Sequence, residues 1–248
     1  MRNIKITIEY DGTRYNGWQS QKNGTGIQEI LTNAIHQVCS DVDKINGAGR
    51  TDAGVHANEF CLTVECDGAT VPAEKLPIAV SRFLPEDLSL FWAEECGESF
   101  HPRYDVKEKE YLYRIMNTRV YDPFEFGRVW FLPRPIDEEK LARMRSAAEH
   151  FIGKYDFTTF MADGSDVEDT VRTVSMLSVE CVGDEIQIKI RADGFLYNMV
   201  RIIVGTLVEC AFGRFSPEDM SDIISSRDRS RAGRTAPPEG LYLNKVIY

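Results

Sequence analysis

The stretch VRTVSMLSVECVGDEIQIKIRA, residues 171–192, decides the fold class, because it contains two strands joined by a tight turn. Its two runs, 171–181 and 185–192, have the composition of strands, and Gly183-Asp184 is a turn pair typical of an antiparallel hairpin. The sequence therefore predicts antiparallel sheet at this point of the chain.

The elements around this hairpin follow the order strand, helix, strand, strand, helix, strand. A strand at 109–117 and a helix at 137–151 precede the hairpin, and an apolar helix at 196–212 and a strand at 241–247 follow it. The helix at 137–151 is predicted from apolar residues that recur at helical spacing.

The first half of the chain shows the same order. The predicted elements are a strand at 2–10, a helix at 27–39 with a capping box of Thr25 and Gln28, strands at 44–48 and 58–65, a short helix after Pro72, and a strand at 88–95. Two such units predict an α+β protein with two ferredoxin-like βαββαβ halves, 1–100 and 101–248. Their antiparallel sheets are expected to flank a central catalytic cleft.

Composition excludes several classes of protein. A chain of 248 residues with 43% hydrophobic and 27% charged residues is typical of a soluble globular protein. The six cysteines are scattered and no histidine has zinc-ligand spacing, which predicts reduced thiols in the cytoplasm and no metal site. The apolar run 199–212 is too short to cross a membrane, and no targeting segment is expected.

The distribution of charge says more about partners than its sum. A net charge of -10 argues mildly against nucleic acid as a partner. Arginine and lysine nevertheless concentrate in two stretches, 103–119 and 227–234. Such runs are usually solvated surface, so only their coincidence with a functional site would give them a role.

The segment GAGRTDAGVHA, residues 47–57, surrounds an aspartate with glycines. Such a loop lets the backbone approach a ligand closely while polar side chains are held in place. It is not a dinucleotide fingerprint, because Asp52 stands where the third glycine belongs and a strand follows instead of a helix. From this pattern alone, Asp52 is either a turn residue or a catalytic carboxylate.

Several motifs in order along the chain make the pattern specific. They are YDGTRYNGWQSQ (residues 10–21), GRTDAGVHA (49–57), FHPR (100–103), KEYLY (109–113), DFTTF (156–160), FLYNMVRIIVG (195–205) and TAPPEGL (235–241). Together they resemble the tRNA pseudouridine synthase A family nearly end to end. The chain departs from the family at Glu59-Phe60, where a Gly-Gln pair is usual, and at Tyr155, where histidine is common; both departures put local packing in doubt.

The resemblance implies a function and a site. The family isomerises uridine to pseudouridine in the anticodon arm of tRNA, at positions 38, 39 and 40, as a cytoplasmic homodimer without a cofactor. Asp52 corresponds to its catalytic residue, Arg50 to a residue that holds the target nucleotide out of the stack, and Tyr111 to the residue that stacks on uracil. The sequence does not decide whether Asp52 attacks the ribose or the base.

Three neighbouring residues are interpreted from their positions. On the predicted strand, Tyr113 is expected to face away from Tyr111 and to lie in the core. His56 follows a glycine-rich turn and is expected to be structural. Arg201 lies in a helix that is apolar on nearly every face, where a guanidinium needs an acceptor. We expect Arg201 to reach across the cleft to Asp52 and hold it ionised and oriented, and we count it among the substrate-binding residues.

Two other functions fit parts of the pattern. A non-catalytic RNA-binding protein could use similar sheets, but the aromatic motif of RNA-recognition strands is missing. A carboxylate-dependent nucleoside hydrolase would not need extended basic surfaces. Release of the C5 hydrogen of uridine without loss of the base would distinguish isomerisation from both.

Overall fold

The computed structural model describes residues 2–20, 24–39, 41–67, 71–165 and 167–248. The chain forms two compact units, the first made of Met1–Lys107 and Tyr242–Tyr248 and the second of Glu108–Leu241. The boundary expected after residue 100 falls close to the division after Lys107. The last residues of the chain, however, lie with the first unit.

The first unit has the predicted order of elements. These are β1 (Arg2–Tyr10), α1 (Ile27–His36), β2 (Asp41–Gly47), β3 (His56–Asp67), α2 (Leu76–Ser81) and β4 (Leu88–Glu95). Strand β1 lies between β3 and β4 and is antiparallel to both, and β2 is antiparallel to β3 on its other side. Ile4, Ile6 and Ile8 alternate along β1 and are completely buried, so the period of two places one face of β1 on the core.

Helix α1 begins differently from the prediction. Its N-cap is Gly26, which has no side chain, so the expected capping box of Thr25 and Gln28 is wrong. The backbone N–H groups of Ile27 and Gln28 donate instead to the carbonyls of Gly17 (3.1 Å) and Trp18 (2.9 Å). Two of the unpaired donors of the first helical turn are therefore satisfied by a neighbouring loop.

The second unit contains the hairpin and its surrounding elements. These are β5 (Glu108–Met116), β6 (Trp130–Phe131), α3 (Glu138–Glu149), β7 (Gly153–Asp156), β8 (Val171–Val182), β9 (Glu185–Ala192), α4 (Met199–Ala211) and α5 (Asp219–Ser225). The sheet order is β5-β9-β8-β7, antiparallel throughout, with β6 parallel to β5. Gly183 turns the β8–β9 hairpin with φ +60°, as the sequence predicted.

The last strand, β10 (Leu241–Ile247), joins β3 of the first unit. The pairing is parallel, with Tyr242 opposite His56 and Leu243 opposite Ala57. The α+β class with mostly antiparallel strands is thus confirmed, while the expectation of purely antiparallel sheets is wrong. Short strands such as β6 and β7 were not predicted, because two to four residues carry too little periodicity.

Helix α4 is buried on nearly every side. Eleven of its residues, from Met199 to Ala211, are buried, including Thr206, whose hydroxyl donates to the Ile202 carbonyl at 2.7 Å. No helix among the described residues is long and apolar enough to cross a membrane. Gly205 lets the chain pass closely, since a Cβ there would lie 1.8 Å from the carbonyl oxygen of Arg234.

We predict that Gly205→Ala destabilises the protein although alanine is the better helix former. The helix propensity gained is about 1 kcal/mol, whereas the clash with a backbone carbonyl forces α4 to shift, at a cost of about 1–3 kcal/mol or more. Thermal unfolding measures the difference. Gly97→Ala is the control, since a Cβ at Gly97 meets nothing within 4 Å. Equal melting temperatures for the two variants would contradict the prediction.

Candidate active site

The loop that carries Asp52 connects β2 to β3 and is held by the segment that follows β1. The N–H of Trp18 donates to the carbonyl of Thr51 at 3.2 Å, and the N–H of Gly54 donates to that of Tyr15 at 3.2 Å. Within the loop, the N–H of Val55 donates to the carbonyl of Asp52 at 3.1 Å. The backbone on both sides of Asp52 is therefore fixed.

A side-chain contact completes this attachment. The hydroxyl groups of Tyr10 and Thr51 lie 2.8 Å apart and are hydrogen-bonded in the interior. Thr51 is buried, while its neighbour Asp52 is partly exposed. Alternation along an extended segment accounts for this, since adjacent side chains point to opposite sides. The buried threonine thus directs the aspartate outward.

Two glycines allow the two loops to approach. A Cβ on Gly12 would lie 2.1 Å from the carbonyl oxygen of Val55, and one on Gly17 would lie 2.2 Å from that of Thr51. Gly17 also has φ +87°, which disfavours other residues. The motif at residues 10–21 and the Asp52 motif are therefore two halves of one packed unit.

His56 has a structural environment. It is 1% exposed, and its Nδ1 accepts a hydrogen bond from the N–H of Gly12 at 3.0 Å. Its ring stacks on Tyr242 at 4.5 Å between centroids. A carboxylate oxygen of Asp11 lies 3.2 Å from the same nitrogen. The ring is therefore engaged on its Nδ1 side and on its face, as a structural histidine would be.

A polar groove lies beside the Asp52 loop in the first unit. Its volume is about 270 Å³, and its lining includes Trp18, Asn46, Arg50, His101, Arg103 and Tyr104. Arg50 and Arg103 are exposed, and neither guanidinium has a carboxylate partner within the described ranges. Sequence reasoning found both arginines but missed His101 and Tyr104, because nothing local shows that residues 101–104 lie against the Asp52 loop.

In the second unit, the two tyrosines of β5 are two residues apart in a regular strand and lie on the same face, so the expectation that they face opposite ways is wrong. They differ in burial. Tyr113 is completely buried and donates its hydroxyl to the carbonyl of Pro237 at 2.7 Å, which makes it the expected core residue. Burial raises the pKa of the Tyr113 phenol well above its ordinary value, so this donor stays protonated. Tyr111 is partly exposed and meets the ring of Phe195 edge-on, with centroids 5.0 Å apart.

Arg201 lies in the first turn of α4 and is partly buried. Its Nε donates to the carbonyl of Ala236 at 2.7 Å, and a terminal nitrogen donates to Oδ1 of Asn198 at 2.6 Å. Asn198 is the N-cap residue in a left-handed conformation with φ +60°. These two acceptors orient the guanidinium, and the predicted pairing of Arg201 with Asp52 stays a prediction.

The arginines of the basic stretch 227–234 differ in the contacts that they make within the protein. Nε of Arg227 pairs with Asp156 at 2.9 Å, although Arg227 has φ +53°. Arg229 donates to the carbonyl of Gly233 at 3.0 Å and to the hydroxyl of Thr235 at 3.1 Å. Arg231 and Arg234 are exposed, and so is Arg227, whose ion pair with Asp156 therefore lies at the surface.

Asp156, the first residue of the DFTTF motif, anchors this basic loop, a role that the sequence analysis did not assign to it. Its Oδ1 accepts hydrogen bonds from the hydroxyls of Thr158 (2.6 Å) and Thr170 (2.7 Å). Burial tends to raise the pKa of the Asp156 carboxyl, but these hydrogen bonds and the Arg227 guanidinium outweigh it and keep the pKa below its ordinary value. The DFTTF motif thus holds the 227–234 loop through the ion pair of Asp156 with Arg227.

Comparison with known proteins identifies related sequences over most of the chain. The family model described as tRNA pseudouridine synthase matches residues 6–105 and 147–248. The chain is 45% identical over 248 residues to tRNA pseudouridine synthase A of Thermoanaerobacter sp. (strain X514), with 100% of both chains aligned. It is 41% identical over 248 residues to tRNA pseudouridine synthase A 2 of Clostridium perfringens (strain 13 / Type A), again with 100% of both chains aligned. The chain therefore belongs to the tRNA pseudouridine synthase family and is an isomerase.

Proposed function

We propose that this tRNA pseudouridine synthase acts on the anticodon arm, at positions 38, 39 and 40, with Asp52 as its catalytic carboxylate. The observation that carries the proposal is the attachment of the Asp52 loop. Its backbone is fixed by Trp18 and Tyr15, its preceding residue is buried, and Asp52 itself reaches the surface. A reacting group held in this way loses little freedom when substrate binds.

The chemistry suits a carboxylate. The bond between N1 of uracil and C1′ of the ribose breaks, the base turns while it is retained, and C5 bonds to C1′. C5 then loses its proton and N1 gains one, so the product is an isomer of the substrate. No electrons are gained or lost overall, so no redox cofactor is required. Asp52 acts as a nucleophile at the ribose, as in retaining glycosidases, or as a nucleophile at the uracil ring.

Three further residues are proposed to bind the target nucleotide. Arg50 lies two residues before Asp52, is exposed, and helps to hold the uridine outside the helical stack. Tyr111 is partly exposed, unlike its buried neighbour on β5, and stacks on the uracil. Arg201, oriented by the carbonyl of Ala236, is proposed to keep Asp52 ionised and in position.

The larger arrangement follows the same proposal. Two ferredoxin-like halves flank a catalytic cleft, and a homodimer in the cytoplasm binds one tRNA through both subunits. Support for the halves comes from the order β4-β1-β3 with β2 beyond β3 in the first unit, and from the order β5-β9-β8 in the second. A chain with a net charge of -10 offers phosphate contacts only where its cations are concentrated. A dimer would add the contacts of the second subunit.

Release of tritium from tRNA labelled at C5 of uridine tests the proposed reaction. Isomerisation releases the label while the base stays attached to the RNA. A nucleoside hydrolase would release labelled uracil, and a protein that only binds RNA would release nothing. Mapping the product along the tRNA shows whether positions 38, 39 and 40 are the targets; pseudouridine confined to another arm would exclude the anticodon assignment.

We predict that Asp52→Asn loses turnover by roughly a hundredfold or more while its affinity for tRNA stays near that of the wild type. Asparagine keeps the volume of the side chain but removes its charge and nucleophilicity. Asp184→Asn, at the exposed turn of the β8–β9 hairpin, is the matched control and should keep full turnover. Substantial turnover by Asp52→Asn would remove Asp52 from the reaction.

We predict that Arg201→Met moves the acid limb of the activity profile to higher pH. If the guanidinium lowers the pKa of Asp52, its removal raises that pKa, and the active carboxylate is lost earlier on acidification. Stability should also fall by about 1–3 kcal/mol, because the Ala236 carbonyl and the Asn198 amide lose their donor. Arg201→Lys should restore part of the shift without the two-point geometry. An acid limb that does not move in Arg201→Met would exclude the pairing.

We predict that Arg231, in the 227–234 loop, contributes to the salt dependence of RNA binding. Arg231→Ala should reduce the slope of log affinity against log salt concentration by about 1, if Arg231 contacts one phosphate. Arg145→Ala is the control, since Arg145 pairs with Glu138 at 2.8 Å. An unchanged slope for Arg231→Ala would identify it as solvated surface.

A further inference from the structure

The groove beside the Asp52 loop combines two kinds of chemistry. Arg50 and Arg103 supply cations, and Tyr104 supplies an aromatic ring that is 75% exposed. Guanidinium groups pair with phosphate, and exposed aromatic rings stack on unpaired bases of single-stranded RNA. The combination within one concave site is the recognition chemistry of a single nucleotide.

The turn that presents Tyr104 is held in place before any ligand binds. The N–H of His101 donates to the Asp105 carboxylate at 2.8 Å, the N–H of Asp105 donates back to the His101 carbonyl at 3.1 Å, and the N–H of Arg103 donates to Nδ1 of His101 at 3.1 Å. The His101 ring also packs against Tyr104 at 4.3 Å between centroids. A fixed aromatic surface loses little entropy on stacking.

The electrostatics of the groove favour an anion. Two guanidinium groups line a space of about 270 Å³, and neither has a carboxylate partner among the residues described. The Asp105 carboxylate accepts a hydrogen bond from the backbone N–H of His101. A phosphate in this space could pair with either guanidinium group. The lining is polar, with Gln28 and Asn46 among its residues, which suits a nucleotide better than an apolar molecule.

The position of the groove relates it to the reaction. Arg50 lines the groove and precedes Asp52 by two residues. Two residues of chain span at most about 7 Å, so the groove begins close to Asp52. An RNA strand whose target uridine lies at Asp52 must continue in both directions from it. One of the adjoining nucleotides would therefore be within reach of this groove.

We propose that the groove binds the nucleotide adjacent to the target uridine, with its phosphate on Arg50 and Arg103 and its base stacked on Tyr104. This inference rests on the proposed function, because it takes Asp52 as the position of the target. It assigns to residues 101–104 a role in selecting the sequence context of the uridine, through how well the adjoining base stacks.

A cycle of changes on protein and RNA tests the contact. The probe is an anticodon stem-loop RNA with its target uridine at position 38 and an abasic residue in place of nucleotide 37 or 39. Dissociation constants are measured in the Asp52→Asn background, so that the RNA is not converted during the measurement. Each RNA is bound to proteins with Tyr104, Tyr104→Ala or Tyr104→Phe.

Loss of one base–aromatic stack weakens binding by about tenfold. Tyr104→Ala should therefore raise the dissociation constant of the intact RNA about tenfold, and Tyr104→Phe should recover most of that loss because its ring is retained. One of the two abasic RNAs should bind about tenfold more weakly to the protein with Tyr104, but less than twofold more weakly to Tyr104→Ala. Trp92→Ala, which removes an exposed aromatic outside the groove, should leave the abasic penalty unchanged.

Equal abasic penalties in the Tyr104 and Tyr104→Ala proteins would overturn the inference, because the two groups would then not interact. Tritium release by the protein with Asp52 intact, measured in parallel, separates this result from failure of the proposed function. Active enzyme with no coupling to Tyr104 rejects the groove alone. Absence of both turnover and binding on this RNA rejects the anticodon target and the groove assignment together.

Discussion

The site depends on one contact, the attachment of the Asp52 loop to the segment that follows β1. The Tyr10–Thr51 hydrogen bond and the backbone bonds from Trp18 and Gly54 join two parts of the chain that are some forty residues apart, with Tyr10 and Thr51 separated by 41 positions. Without them, a loop rich in glycine would have many conformations, and ordering it would cost free energy each time substrate bound. With them, the position of the carboxylate is set by the sheet.

The net charge of the chain does not describe the charge beside the Asp52 loop. The net charge of -10 is a property of the whole chain, whereas phosphate responds to the charges within about 10 Å at ordinary salt concentration. Beside the Asp52 loop, Arg50 and Arg103 lack carboxylate partners among the described residues. Arg227, by contrast, is neutralised by Asp156. Whether an arginine is available to bind phosphate therefore depends on whether that side chain already has a carboxylate partner.

Much of the fold could be predicted because the relevant signals are local. Alternation in β1, helical spacing in α1 and the turn at Gly183 each depend on residues only a few positions apart, and the structure contains all three. The capping box failed for the opposite reason. Thr25 and Gln28 had the right spacing, but the helix's first N–H groups found carbonyls of Gly17 and Trp18, which no local pattern reveals.

By itself the sequence determined most of the strands and helices, the family and the candidate carboxylate Asp52. Periodicity and motif order encode these properties directly. Tertiary structure alone decided that β10 joins β3, that Arg227 and Arg229 are structural, and that His101 and Tyr104 share a groove with Arg50. The physical reason is that the partner of a strand edge or a guanidinium is chosen by what folding brings within hydrogen-bonding distance, irrespective of separation in sequence.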